Sequence, residues 1–347
     1  MSTENDTADD RRLIVAASPH LRSQASVSRI MWLVVIALLP ALGGSIWFFG
    51  LKSLWLVLLC VASALISDTL TQLAFGRKVT PTDGSAVITG ILLAYNLPPG
   101  VPWWMPVIGA AFATVVVKQF FGGLGHNFMN PALAARAFLM ASWPTHMTTM
   151  WLKPFGTAPL SGLDAVSEAT PLALVRRAAE LAPQGLTTDE LIRQANSLPV
   201  LKKLFFGTVG GCVGETSALL LLIGAIFLIA IRVVDWRIPV AYLGTVAVLA
   251  LILPGSHLSP LYHLLSGGVI LGACFMATDY VTSPITGKGR MIFGIGCGVI
   301  TMLIRLYGGY PEGCSYSILL MNIATPFIDR LTRPRLFGAL KRKPAAA

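Results

Sequence analysis

Charged residues are scarce in this sequence. Only 12% of the 347 residues are Asp, Glu, Lys or Arg, while 54% are hydrophobic. Soluble domains usually carry about 25% charge. So little charge leaves too few polar groups to cover a water-facing surface of this size, which excludes an ordinary soluble domain. We therefore expect an integral membrane protein embedded in the lipid bilayer.

Acidic residues are scarcer than basic ones. The chain has 16 acidic and 26 basic residues, which gives a net charge of +10. A basic balance also occurs in nucleic-acid-binding proteins. Here, however, the basic residues lie in the two tails and between apolar stretches, which is the pattern of membrane topology. We therefore expect no nucleic-acid partner.

Motifs for metals and dinucleotides are missing as well. The five cysteines form no C-x-x-C pair and no cluster with histidine, which argues against a zinc or iron–sulfur site within this chain alone. The alternative that a cysteine contributes to a site shared with another subunit stays open. No G-x-G-x-x-G motif follows a strand pattern, so we expect no dinucleotide-binding fold.

The N-terminus lacks the features of a secretory signal. Residues 1–10 are polar and acidic, and the first apolar stretch is longer than the core of a signal peptide. No small-residue cleavage site follows it. We predict that residues 1–28 form a cytoplasmic tail.

Long apolar stretches make up most of the remaining chain. About 20 apolar residues of helix cross a bilayer core. We predict an all-α polytopic membrane protein with about ten transmembrane helices. The expected spans are residues 29–49, 54–75, 84–97, 103–121, 132–143, 215–231, 238–253, 261–280, 291–307 and 315–331.

The short basic loops between these spans all fall on one side. They carry the pairs Arg77/Lys78, Arg232/Arg237 and Lys288/Arg290, whereas the opposite turns carry almost no basic residues. The basic residues of the long segment 144–203 count little, because long loops translocate largely regardless of charge. The positive-inside rule then places both termini in the cytoplasm and the long segment after residue 143 outside it. The predicted regions are a tail at 1–28, a membrane repeat at 29–143, an extracytoplasmic segment at 144–203, a second repeat at 204–331 and a basic tail at 332–347.

The two membrane regions have similar patterns. Each has a short apolar segment that opens on glycine (Gly84; Gly267-Gly268) and closes on a proline-bearing turn, and each ends with a helix that contains or opens on asparagine (Asn130; Asn322). Five spans per repeat is an odd number, so we predict inverted repeats. Interrupted segments at matching places indicate a site near the bilayer midplane. Alternatively, Gly and Pro are simply common in membrane helices.

Polar residues cluster at these interruptions, and ionisable groups inside a membrane are candidate functional residues. We single out Asp83, Asn127, Asn130 and Asp279 as a candidate intramembrane polar site, near Ser85, Asn96, Lys118, His126, Arg136, Thr278 and Asn322. Each has a structural alternative. The two aspartates can cap helix ends, the asparagines can bond freed backbone groups, and the charged ends of Lys118 and Arg136 can extend to the interface.

The extracytoplasmic segment contains a candidate phosphate site. Thr170 followed by Pro171 has the pattern of a helix N-cap and first position. The free N–H groups at a helix start bind phosphate well. From these residues alone, a simple capping role for Thr170 stays open.

Four runs of the sequence resemble one family. They are TPTDGSAVITGILLAYNLP from Thr80, GGLGHNFMNPALAARAF, DAVSEATPLA and ATDYVTSPITGKGR. They look like the RnfD subunit of the Rnf electron-transport complex and are similar to NqrB of the sodium-pumping NADH:quinone oxidoreductase. The resemblance covers nearly the whole chain and implies a urea-transporter-like fold.

The resemblance implies a covalent flavin. In that family an S-x-A-T motif carries FMN through a phosphoester bond to the threonine, which here is Thr170, with Asp164 and Ser167 in the recognition motif. Glu168 stands where the motif often has glycine. A separate flavin transferase would install the FMN. Relatives can also hold a second, non-covalent flavin such as riboflavin, to which the resemblance assigns no residue.

The implied function is electron transfer coupled to ion transport between ferredoxin and NAD, in the bacterial cytoplasmic (inner) membrane, with Thr170 on the periplasmic side. The implied partners are subunits of the RnfA, RnfB, RnfC, RnfE and RnfG types. The rival interpretation is a small-solute transporter or channel of urea-transporter-like fold without a redox role. Covalent flavin distinguishes the two.

Overall fold

The computed structural model describes residues 26–152, 154–155, 192–193, 195–215, 217–253, 258–308 and 313–334. Within these ranges the chain forms helices joined by turns, with no extended strand. In chain order the helices are α1 Val27–Phe49, α2 Leu51–Ala74, α3 Ser85–Tyr95, α4 Trp104–Ala111, α5 Pro131–Ser142, α6 Pro144–Thr149, α7 Leu198–Phe206, α8 Ala218–Ala230, α9 Arg237–Ile252, α10 Pro260–Leu265, α11 Val269–Leu271, α12 Gly287–Tyr307 and α13 Cys314–Thr332.

Two helices continue with π-type hydrogen bonding. Helix α4 runs on as Phe112–Gln119, and α11 runs on as Gly272–Met276. A π segment widens the turn and rotates the side chains that follow it, and such segments often occur at functional sites. One lies in each membrane region.

The first membrane region, α1 to α5, is closely packed around α3. A Cβ atom on Gly90 of α3 would lie 2.7 Å from the Val61 Cα atom of α2, so the two backbones touch. Ser63 of α2 donates a hydrogen bond to the Val107 carbonyl of α4 at 3.0 Å. Small residues permit this approach, as is usual between membrane helices.

The second membrane region, α8 to α13, uses the same device. A Cβ atom on Gly294 of α12 would lie 2.9 Å from the Ile238 carbonyl oxygen of α9, and one on Gly298 would lie 3.0 Å from the Tyr242 carbonyl oxygen. Helices α9 and α12 therefore pack backbone to backbone, as α2 and α3 do.

The two regions also touch each other. Gly224 of α8 lies directly against the Ala37 carbonyl of α1. The Asn322 side-chain amide on α13 is oriented so that both of its polar atoms have a partner. Its oxygen accepts a hydrogen bond from the Asn130 backbone N–H at 3.1 Å, and its nitrogen donates to the Ile318 carbonyl at 3.3 Å. The two asparagines at matching positions in the sequence are thus direct neighbours.

The helical bundle has two distinct ends. At one end, which we call the basic end, Trp32 near the start of α1 bonds to the Thr82 carbonyl at 3.3 Å and Asp235 pairs with Arg290. Thr286 bonds to Thr332 at the end of α13. All three basic loops of the sequence lie at this end.

The opposite end gathers the remaining turns. The Phe155 N–H bonds to the Phe48 carbonyl at 2.9 Å, and the Gly100 N–H bonds to the Met150 carbonyl at 3.2 Å. The chain that leads away from the membrane region after α6, and returns to it at α7, therefore does so at this end.

Three of the described helices, α1, α2 and α12, are long and apolar enough to cross a membrane. The short segments predicted at 84–97 and 132–143 are short helices of 11 and 12 residues. A single helix over 261–280 is wrong, because α10 ends at Leu265 and a break at Gly267 (φ +66°) precedes α11. Helix α7 spans the boundary drawn between residues 203 and 204.

Candidate functional site

Two kinds of candidate site come from the sequence, and the structure describes one of them. Thr170, Asp164 and Ser167 of the predicted flavin motif lie outside the described residues. The predicted intramembrane polar residues lie within them.

A cavity opens near the basic end, between the two membrane regions. It encloses about 830 Å³ of empty space, including its open mouth. Its walls come from α1, α3, α5, α8 and the π segments, and are mainly apolar. The polar lining groups are Ser85, Thr89, Lys118, Asn127, Asn130, Thr278, Asp279 and Tyr280. A mainly apolar cleft with a few convergent polar groups is the usual form of a small-molecule site.

Three of the four residues predicted for the polar site line this cavity. The Asn127 side chain bonds to the Met129 carbonyl at 3.2 Å and to Asp279. Asp279 also accepts from the Thr282 hydroxyl at 3.0 Å. Asn130 caps α5, accepting from the Ala132 N–H at 3.0 Å. The prediction that asparagines bond freed backbone is therefore confirmed, and these same residues face the cavity.

Asp83, the fourth predicted residue, lies behind the wall. Its Oδ1 atom accepts from the Ser85 N–H at 2.9 Å and from the Ser85 hydroxyl at 2.8 Å. This bond satisfies a free N–H at the start of α3, so the helix-end interpretation is confirmed. Asp83 reaches the cavity only through Ser85.

A buried ion pair supports the same wall. The Lys118 Nζ atom lies 3.0 Å from Asp68 Oδ2 and 2.8 Å from the Ser85 hydroxyl. Gln119 donates to Asp68 Oδ1 at 2.7 Å, and Gln72 donates to Oδ2 at 3.2 Å. Both charged side chains are 3% exposed. A buried charge needs this degree of pairing, and with two bonds made the ammonium keeps one further N–H at the cavity wall.

A second buried charge network lies deeper in the bundle. Arg136 of α5 donates to the Asn96 side chain at 2.9 Å and to the Ser315 hydroxyl at 2.8 Å. Glu215 lies 3.5 Å from Arg136. Asn96 follows the last residue of α3, so the positive Arg136 lies at the negative end of that helix dipole.

The chain around Glu215 is non-helical and lies inside the protein. The Val213 N–H bonds to the Leu97 carbonyl and the Gly214 N–H bonds to the Tyr95 carbonyl, both at 3.1 Å. Irregular backbone at membrane depth is tolerated only where protein surrounds it. These bonds satisfy two carbonyls at the end of α3.

The interpretation that Lys118 and Arg136 extend to the membrane surface is wrong. Both are 3% exposed overall and have buried acidic partners. Sequence reasoning missed those partners. Asp68 is the one acidic residue in the 24-residue helix α2, and a lone charge in a membrane span is a signal of function or pairing. His126 is exposed and lies outside both networks.

The second membrane region contains a neutral polar cluster. The Tyr242 hydroxyl on α9 lies 2.6 Å from the Thr301 hydroxyl, 3.0 Å from the Ser317 hydroxyl and 3.2 Å from the Cys314 thiol. All four side chains are buried. Hydroxyls can serve as both donor and acceptor, so the cluster satisfies itself without charge.

The described part of the chain has no group of three or more His, Cys, Asp or Glu side chains that would hold a metal ion. The five cysteines are free and buried, and no two of them form a disulfide.

These features define a multi-pass membrane protein with a mainly apolar cavity, carrying a few polar groups, between two helical regions. Residues 14–338 match the model of the NQR2, RnfD, RnfE family. The chain belongs to this family, as its four sequence runs indicated.

Curated relatives match over nearly the full length. The chain is 50% identical to the D subunit of the Na⁺-translocating ferredoxin:NAD⁺ oxidoreductase complex of Acetobacterium woodii, over 97% of this chain and 99% of that protein. It is 43% identical to the proton-translocating counterpart of Clostridium ljungdahlii, over 93% and 96%. It is 42% identical to the D subunit of the ion-translocating oxidoreductase complex of Stutzerimonas stutzeri, over 93% and 96%.

Proposed function

We propose that this chain is the D-type membrane component of a complex that couples electron transfer between ferredoxin and NAD⁺ to ion translocation. The observation that carries this proposal is the end-to-end match to D-type relatives, at 50% identity over 97% of the chain for one of them. Other subunits of the RnfA, RnfB, RnfC, RnfE and RnfG types complete the complex and handle ferredoxin and NAD.

The redox role of this chain rests on FMN bound covalently to Thr170, with Asp164 and Ser167 in the motif that a flavin transferase recognises. A flavin accepts one or two electrons and its surroundings tune its potential. The supporting observation is the run Ser167-Glu168-Ala169-Thr170-Pro171, which places an acceptor hydroxyl at a predicted helix start.

The test is in-gel fluorescence of the denatured chain after co-expression with a flavin transferase. Wild-type protein is expected to give a fluorescent band under ultraviolet light, and Thr170→Val is expected to give none while still inserting in the membrane. Thr157→Val, which changes a threonine of the same segment outside the motif, is the control and keeps its band. A fluorescent Thr170→Val band would contradict attachment of FMN to Thr170.

A second, non-covalent flavin is proposed for the cavity. The fit rests on its walls: Ile88, Leu92 and Phe275 offer apolar surfaces for a ring system, while Asn127 and Lys118 offer polar groups at the edges. These side chains would hold and orient the ring, and the apolar walls would exclude water from it. The cavity lies at the end of the bundle opposite to the chain that leads to Thr170.

Filling the cavity tests this assignment. Val34 lines the cavity, whereas Ile36 on the same helix is 50% exposed on the outer surface. Val34→Trp is expected to abolish the flavin that acid releases from the purified chain, and Ile36→Trp is expected to retain it. Equal release of flavin from both variants would contradict binding in the cavity. In-gel fluorescence measures the covalent flavin on Thr170 separately, so the two proposals can fail independently.

We further propose that the chain crosses the membrane about ten times as two inverted repeats of urea-transporter-like fold. The matching short helices, π segments and paired asparagines of the two regions support this. The basic end faces the cytoplasm of the bacterial inner membrane, and Thr170 faces the periplasm. Electrons then cross the membrane to reach it.

A small-solute transporter is the rival function. It is disfavoured because the relatives that match this chain over nearly its full length are D subunits of ion-translocating oxidoreductase complexes. Ferredoxin-driven ion uptake into vesicles, with Na⁺ or the proton gradient removed in turn, identifies the coupling ion. Solute uptake without any redox dependence would favour the rival.

A further inference from the structure

The mouth of the cavity lies between two loops of the basic end. Of the lining side chains, Leu124 and Tyr280 are the most exposed, at 38% and 53%. Leu124 lies in the loop before α5, and Tyr280 lies in the loop before α12. These two positions mark where a molecule would enter or leave.

One wall of the mouth is a short turn. Residues 232–236 join α8 to α9, and Val233 and Val234 in this turn line the cavity beside Tyr280. Arg232 has a φ of +58°, in the left-handed region that costs a non-glycine residue about 1–3 kcal/mol. The turn is the C-terminal cap of α8, because the Val233 and Val234 N–H groups bond back to the Leu228 carbonyl at 2.9 and 3.3 Å. It is therefore fixed to α8, and the opposite side of the mouth is the one that can move.

Two contacts join the turn to the chain across the mouth, one to Tyr280 in the loop before α12 and one to Arg290 at the start of α12. The Tyr280 hydroxyl donates to the Val233 carbonyl. The Asp235 carboxylate lies 2.5 Å from Arg290 Nη1, and its other oxygen accepts from the Arg237 N–H at 3.0 Å. We call these two contacts, Tyr280–Val233 and Asp235–Arg290, the latch contacts.

Both contacts are open to water. The Asp235 and Arg290 side chains are 22% and 29% exposed, and ion pairs in such positions usually contribute less than about 1 kcal/mol. By contrast, the ion pair of the inner wall, Lys118–Asp68, is 3% exposed on both sides. The inner wall is fixed, while the two sides of the mouth are joined only by exposed contacts that water can replace.

We propose that the 232–236 turn and the Tyr280 side chain form a latch over the cavity, and that breaking the latch contacts admits or releases the molecule that the cavity holds. The loop that carries Tyr280 moves away from the turn, while α8, the turn and α9 stay in place. This inference is independent of which molecule occupies the cavity.

The test uses a cysteine reporter inside the cavity. Thr278 lines the cavity and is partly exposed, and the five native cysteines are buried. The rate at which a maleimide labels Thr278→Cys is measured in the purified, detergent-solubilised protein. Asp235→Asn and Tyr280→Phe, each added to the reporter, are expected to raise the rate about fivefold, as loss of a weak contact would. Tyr307→Phe, at the opposite end, leaves it unchanged.

Salt provides a second readout in the unmodified latch. Rising ionic strength is expected to speed labelling of Thr278→Cys, because salt screens the exposed Asp235–Arg290 pair. Asp235→Asn removes this salt dependence, whereas Tyr280→Phe keeps it. A salt-independent rate with the latch intact overturns the proposal.

A buried reporter separates latch opening from loosening of the whole fold. Ala64→Cys on α2 is fully buried and away from the mouth, and it is expected to stay unlabelled in both latch variants. Equal acceleration at Ala64→Cys and Thr278→Cys would overturn the proposal, because opening would then be global. Unchanged labelling of Thr278→Cys in the variants would overturn it as well.

Discussion

The two membrane regions solve the same packing problem with different chemistry. Both press paired helices together at glycines and interrupt a short helix with a π segment. In the first region the polar centre is charged, with Lys118 paired to Asp68. In the second, Tyr242, Thr301 and Ser317 form a neutral cluster, and the buried Arg305 bonds to the His263 and Ser266 carbonyls. The cavity is lined by Lys118 of the charged centre and by none of the three residues of the neutral cluster. The two regions therefore pack alike but contribute unequally to the candidate site.

The charged centre should be the costlier one to break. Lys118→Met leaves the Asp68 carboxylate buried without its cation, and such losses usually cost about 3–5 kcal/mol. Thermal unfolding in detergent is expected to show this as the largest loss of stability among the variants considered. Lys118→Met combined with Asp68→Leu removes both charges and should recover most of it. A double variant no better than the single one would mean that the pair does not act as a unit.

The contact between the two regions tests whether they form one unit. Gly224 of α8 lies directly against the Ala37 carbonyl of α1, so Gly224→Ala forces the regions apart and is expected to cost about 1–3 kcal/mol. Gly244 of α9 has nothing within 4 Å of an added Cβ atom. Gly244→Ala should therefore be neutral or stabilising, by up to about 1 kcal/mol. Equal thermal stability of the two variants would contradict the close contact.

The neutral centre should tolerate loss of its central hydroxyl better. Tyr242→Phe leaves Thr301 and Ser317 bonded to each other at 2.8 Å, so their polar groups keep a partner. The expected cost is about 0.5–1.5 kcal/mol, the net value of an ordinary hydrogen bond. The same thermal measurement checks it, with Lys118→Met alongside. A loss as large as that of Lys118→Met would erase the distinction between the two centres.

The exposed ion pair at the basic end should show the smallest effect, and one that depends on pH. Burial alone would raise the pKa of Asp235, but the Arg237 N–H and the Arg290 guanidinium outweigh it and hold the pKa below its usual value. The pair therefore stabilises the fold fully above the ordinary carboxyl pKa, and this contribution is lost as the pH falls through the lowered value. Asp235→Asn is expected to lower stability by at most about 1 kcal/mol near pH 7.

Stability curves of wild type and Asp235→Asn from neutral to acid pH check this sign. The two should converge as the pH drops below the carboxyl range, and diverge again when it is raised. Curves that separate only at acid pH would contradict this, because they would show that the charged form of Asp235 does not stabilise the fold.

Much of this arrangement was visible in the sequence. Polar residues at Gly- and Pro-interrupted segments marked Asn127, Asn130 and Asp279, and the structure brings these three to one cavity. Such signals are local, because a helix break must be satisfied by nearby polar groups. The pattern Ser266-Gly267-Gly268 likewise contains the break between α10 and α11, which the run of apolar residues around it concealed.

Pairings across the fold could not be predicted in this way. Asp68 and Lys118 are 50 residues apart, and Arg136 and Glu215 lie in different membrane regions. Nothing in the sequence around Lys118 names its partner, so extension to the interface was the simpler interpretation. Tyr242 resembles any aromatic residue of an apolar helix until its hydroxyl partners from α12 and α13 are in place.

Ferredoxin-dependent reduction of NAD⁺ by membrane vesicles tests the central claim most directly. The chain is deleted from its native strain and replaced by wild type, Thr170→Val or Thr157→Val at equal membrane levels. Wild type and Thr157→Val are expected to restore the activity and the ion uptake that accompanies it, whereas Thr170→Val restores neither. Full activity with Thr170→Val in place would contradict an electron path through this residue.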